Sequence, residues 1–72
     1  MIPVDNFPAT TIVDGVDGPY TCTVVGIVRV GTDFEFVVVV DDGDERWIAQ
    51  RATVTAPDGK IANALRHCSS TL

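Results

Sequence analysis

His67 and Cys68 stand side by side near one end of the chain, a base next to a thiol. A thiol nucleophile needs its base within hydrogen-bond reach, usually with a third group to orient it. Neighbours on a helix point about 100° apart, so this pair does not face itself. Zinc would require about four ligands, and the chain offers one histidine and two cysteines, Cys22 and Cys68. The reading preferred here is a histidine at a helix end beside a half-buried thiol. Neither a catalytic set nor a metal or cofactor site is expected.

The acidic run Asp41-Asp42-Gly43-Asp44-Glu45 is the second cluster with chemical potential. Clustered carboxylates can collect Ca²⁺. The run lacks the alternating ligands and distant glutamate of an EF-hand loop, however. A solvated hairpin tip, able to dock electrostatically on a basic partner, fits it better. Arg46, Arg51, Lys60 and Arg66 follow it and could form a small anion site. Phosphate recognition normally adds a glycine-rich loop or a helix N-terminus, and Gly59 is only a faint hint of one. Trp47 reads first as core. If exposed beside Arg46, it would anchor a protein interface.

These residues sit on a β framework. Phe34 to Val40 runs into the acidic turn, and Arg46-Trp47-Ile48 returns: a strand, a tight turn and a second strand. Phe34, Phe36, Val38 and Val40 share the face that belongs in the core. Glu35, Val37, Val39 and Asp41 share the other, so Val37 and Val39 need cover from the arm, the C-terminal segment or another molecule. The returning strand should run from Glu45 to about Thr55, with a bulge near Gln50 or Arg51 to reconcile Trp47 and Ala49 with Ala52 and Val54.

Upstream, Tyr20 to Val30 alternates cleanly, with Tyr20, Cys22, Val24, Gly26, Val28 and Val30 on one face. Gly26 in mid-strand suggests a bend or bulge. Thr10 to Val13 is a short strand candidate, and Asp14 to Pro19 reads as a turn-rich loop. Residues 1–9 read as an arm, because Pro3 and Pro8 remove donors and restrict their neighbours. Ala56 to Lys60 carries a strong turn signal. Ile61, Leu65 and Cys68 then recur at helical spacing. A hairpin is the alternative, but a short helix from Gly59 or Lys60 to about Cys68 is preferred, capped by Thr55 or Asp58, with 69–72 as a tail.

Size bounds the rest. At 72 residues, 46% of them hydrophobic, the chain should be one folded domain with a modest core. Its net stability should be only about 3–5 kcal/mol, so a partner subunit would help it. The net charge of -5 lacks the basic face a nucleic-acid binder uses. The charge is uneven: Met1–Glu45 carries a net −8 and Arg46–Leu72 a net +3. Strands lying side by side would neutralise one another, and a two-signed surface would suit head-to-tail packing. Two cysteines are not a disulfide scaffold, so free thiols are preferred over a bridge. The start has no basic region followed by an apolar one, and nothing approaches the ~18 apolar residues of a membrane span.

The expected fold is mainly β: a small curled antiparallel sheet or barrel, SH3-like or OB-like in shape, of four to five strands with a short C-terminal helix. The single domain spans 1–72, with 1–9 as an N-terminal arm. The expected function is a non-catalytic protein-interaction or assembly module, such as a phage or virion accessory protein or a small subunit of a larger complex. Alternatives are a small acidic inhibitor or sequestering protein that engages a basic surface, and a small-ligand or nucleic-acid-binding β-barrel. The candidate interface residues are Val37, Val39, Asp41, Asp42, Asp44, Glu45, Arg46 and Trp47. A protein partner or self-association is expected, with no membrane and no nucleic acid, in the cytoplasm or a virion and without a secretion signal.

Overall fold

A computed structural model of the chain describes residues 1–12 and 19–71, without the side chains of Asp42, Ser70 and Thr71. The turn-rich loop expected from Asp14 and the end of the first strand candidate at Val13 lie outside the described residues. Four antiparallel strands, β1 (Ile2–Ile12), β2 (Pro19–Val30), β3 (Asp33–Asp42) and β4 (Glu45–Arg51), form one sheet in the order β1-β2-β3-β4. A helix, α1 (Lys60–Thr71), follows. The protein is mainly β, as its alternating apolar runs predict. The sheet is open, so the closed barrel among the expected shapes does not form.

Gly31-Thr32 joins β2 to β3 and Gly43-Asp44 joins β3 to β4. The first glycine in each has a positive φ, 63° at Gly31 and 62° at Gly43. A positive φ at the first loop residue fits a type II′ turn, whose twist matches that of the flanking strands. The registers then place side chains in transverse rows. Ala9, Cys22, Val40 and Trp47 form one row; Phe7, Val24, Val38 and Ala49 form the next; Ile2, Ile27, Phe36 and Arg51 form a third. These rows are the inner face. Val24, Ile27, Val38 and Val40 are wholly buried there, each worth about 1.5–3 kcal/mol. Ala64 and Cys68 of α1 join the same cluster, with Ile61 and Leu65 packed against it.

Four expectations need correction. First, residues 1–9 are not an irregular arm but most of β1. Thr10 donates to and accepts from Thr55 (both 2.8 Å) on the side away from β2. Pro8, two residues earlier, therefore turns its nitrogen the same way, and its missing donor costs no bond to β2. Second, β2 does bulge before Gly26, with the register slipping between Val24 and Gly26. The slip reverses the phase, so Ile27 enters the core while Val28 is half-buried and Val30 is 45% exposed. Third, β4 needs no bulge: its register with β3 is uninterrupted and the strand ends at Arg51. Fourth, α1 runs to Thr71, through most of the expected tail. It is capped by Gly59, whose carbonyl accepts from Asn63 N at 3.0 Å, rather than by Thr55 or Asp58. Asp58 takes a left-handed φ of 59° just before it.

Candidate protein-interaction face

The face opposite α1 has the opposite character. Its central row is Pro8, Thr23, Val39 and Ile48; beside it lie Pro3, Gly26, Val37 and Gln50. Val37 and Val39 are half-buried, shielded by their sheet neighbours, and Ile48 is 72% exposed. Met1, itself 70% exposed, lies against this face from beyond the start of β1. Its thioether occupies the space a Cβ on Gly26 would fill, so the start of the chain supplies part of the expected cover next to Val37.

Polar pairs bound the apolar strip along the strands. At one end Gln50 Nε2 donates to Glu35 Oε1 at 2.8 Å. At the other, Arg46 Nε donates to Asp41 Oδ1 at 2.8 Å, with the two side chains 73% and 52% exposed. So exposed a pair is worth about 0.2–1 kcal/mol at most. It orients the rim more than it holds the fold. An apolar centre with a polar rim is the usual anatomy of a protein interface.

The structure brings Val37, Val39, Asp41 and Arg46 together on this face and puts exposed Asp44 and Glu45 at its hairpin tip. The Asp42 side chain lies outside what is described. Trp47 does not belong to the group. It pairs with buried Val40 on the inner face and meets Tyr20 edge to face, with ring centroids 6.3 Å apart at 67°. The exposed residue that reasoning from sequence passed over is Ile48. Its signal was available: Ile48 alternates with Trp47 and Ala49, so a core-facing Trp47 turns Ile48 outward.

The other candidate chemistry separates in space. Cys68 is fully buried while His67 is exposed on α1. Cys22 and Cys68 are both free, and burial pushes both thiols up from their ordinary value of 9.0. A raised thiol pKa opposes nucleophile formation. The basic residues do not converge: Arg46 is tied to Asp41, Arg51 Nη2 donates to Ile12 O at 2.7 Å, and Arg66 Nη1 donates to Asn63 Oδ1 at 3.3 Å. Among the described residues no three His, Cys, Asp or Glu side chains gather as metal ligands. Among the described residues no helix is long and apolar enough to cross a membrane.

Two clefts flank the helix. One, of about 510 Å³, runs between Asp5 and Asn6 of β1 and Lys60, Asn63 and His67 of α1. The other, of about 450 Å³, is walled by Phe34, Phe36, Val54, Ile61 and Leu65. The first could hydrogen-bond a small polar molecule.

The chain matches no protein-family model, no curated protein and no solved structure.

Proposed function

We propose that the chain is a non-catalytic protein-interaction or assembly module that docks through the outer face of its sheet. The observation that carries this is the apolar strip of Val37, Val39 and 72%-exposed Ile48 set between two polar pairs on the face opposite α1. Covering it would remove apolar surface from water at about 25 cal/mol per Å². A chain whose single small core leaves little stability to spare gains from such cover. Burial of both thiols inside the core, away from exposed His67, is consistent with this reading. A small subunit of a larger complex or particle, of the kind found inside cells or virions, suits these properties.

The test is capture by the intact protein and by a Val37→Lys/Val39→Lys double variant. Loss of the captured protein from the variant, with an unchanged melting curve, is the expected outcome. The same protein recovered equally by both would overturn the reading.

A second reading rests on the hairpin tip. Asp44 and Glu45 are exposed there and make no ion pair among the described residues. Docking on a basic surface through the tip would weaken steeply with salt. Docking through the apolar strip would not.

A further inference from the structure

The two edges of the sheet are treated differently. β1 carries Pro3 and Pro8, slips register between Pro3 and Phe7, and is bridged by Thr55. Prolines, irregular registers and covering segments are the usual means of blocking an edge. β4 has none of them. Its seven residues, Glu-Arg-Trp-Ile-Ala-Gln-Arg, contain no proline or glycine and pair with β3 without interruption. Among the described residues no backbone hydrogen bond reaches its other side.

The alternation of the ladder says which groups are available there. The two-residue loop Gly43-Asp44 makes Asp42 and Glu45 the first hydrogen-bonded pair. Glu45, Trp47, Ala49 and Arg51 therefore turn their amides and carbonyls toward β3. Arg46, Ile48 and Gln50 turn theirs to the open edge.

We propose that this edge pairs with β4 of a second copy, antiparallel about a two-fold axis at Ile48. In that register Ile48 meets Ile48 and Arg46 meets Gln50 as hydrogen-bonded pairs. Trp47 meets Ala49 and Glu45 meets Arg51 as the closer, non-bonded pairs. Charge complementarity selects this arrangement. Among the described residues neither Glu45 nor Arg51 has an ion-pair partner. Arg51 spends Nη2 on the Ile12 carbonyl and leaves its buried Nε unpaired. Centring the axis on Trp47 or Ala49 also pairs free groups, Arg46 with Ile48 or Ile48 with Gln50, but sets Glu45 opposite Ala49 or Arg51 opposite Trp47 and leaves the end charges unmatched. Centring it on Arg46 sets two arginines opposite each other, and centring it on Gln50 loses Glu45. Only the Ile48 axis uses the free groups and neutralises both ends. It also sets the Val39–Ile48 strips of two copies side by side.

This inference deepens the assembly reading and rests on it, naming a second copy as the first partner. Sedimentation equilibrium on the full chain tests it. The wild type should sediment as a dimer. Glu45→Arg and Arg51→Glu should each weaken self-association by about tenfold or more, because each sets like charges opposite. Their equimolar mixture should sediment as a dimer again, since both charge pairs are then restored. Should Arg51→Glu fail to fold, Ile48→Lys, at an exposed position, should be a folded monomer by circular dichroism. A wild type that stays monomeric at its highest soluble concentration would overturn the proposal. So would a dimer that survives Ile48→Lys, or weakened single variants whose mixture does not reassociate. A monomeric wild type that still loses its captured protein on Val37→Lys/Val39→Lys would sink the dimer and leave the docking role standing.

Discussion

Val38 and Val39 are adjacent, chemically identical and in one strand, yet they belong to different parts of the molecule. Val38 sits between Val24 and Ala49 with no exposed surface. Val39 sits between Thr23 and Ile48 on a face that α1 does not cover. The inner face spends its apolar groups on a shared core. The outer face keeps a similar supply at the surface, edged by one ion pair and one amide–carboxylate hydrogen bond. Composition alone does not distinguish these roles; the side on which the helix lands does.

The sharpest way to break this contrast is to place the same charge on each face. Val38→Asp should leave the chain unfolded, with no cooperative urea transition. An unpaired buried carboxylate costs several kcal/mol, comparable to the whole stability of a domain this small. Val39→Asp should fold with a loss under about 1 kcal/mol. Equal losses at the two positions would mean that the faces do not differ as described.

The inner thiols sharpen the contrast through pH. Their pKa values are raised in the folded chain by burial, so folding favours the neutral form. Their contribution is fully present below the unfolded thiol value and declines as pH rises through the folded value. Urea midpoints should therefore hold near neutrality and fall above the ordinary thiol range. The fall should be smaller in a Cys22→Ala/Cys68→Ala variant, which separates the thiols from tyrosine and lysine titration. An identical pH profile in the two proteins would argue against burial of the thiols.

The smallest effect belongs to the rim of the outer face. Arg46→Ala should cost less than about 0.5 kcal/mol, and less still in high salt. A loss above about 1 kcal/mol would show that the Asp41–Arg46 pair helps to hold the hairpin.

Much of the framework was readable because period-two alternation and two-residue turns are local signals. The hairpin of β3 and β4, the core role of Phe36, Val38 and Val40, the bulge at Gly26 and a helix after Gly59 all follow from short windows. The errors arose where a local signal met a non-local one. Pro3 and Pro8 argue against a strand unless the strand is an edge, and edge status is set by strand order. The bulge at Gly26 was legible, but its effect beyond that residue depends on which strand supplies the extra residue. Ala52 and Val54 imitated a continued strand, but the ladder with β3 ends at Arg51 and the chain pairs next through Thr55 with Thr10; Val54 packs against the core from beyond the strand and Ala52 is exposed. Of the candidate interface, Val37, Val39, Asp41 and Arg46 share a face because parity is local. Trp47 shares the parity of the core, so its first reading as a core residue agrees with its place beside Val40 and Tyr20, and its conditional place in the interface does not.

The bridge between Thr10 and Thr55 bears on the order in which the molecule assembles. β2, β3 and β4 are chain neighbours joined by two-residue loops, so they can zip together with little closure entropy. The Thr10–Thr55 tie joins segments far apart along the chain and can form only once the ribbon has bent far enough to meet itself. It belongs at the end of the folding route, when the helix settles on a surface already built. Weakening it should therefore quicken unfolding while leaving the rate of folding almost untouched.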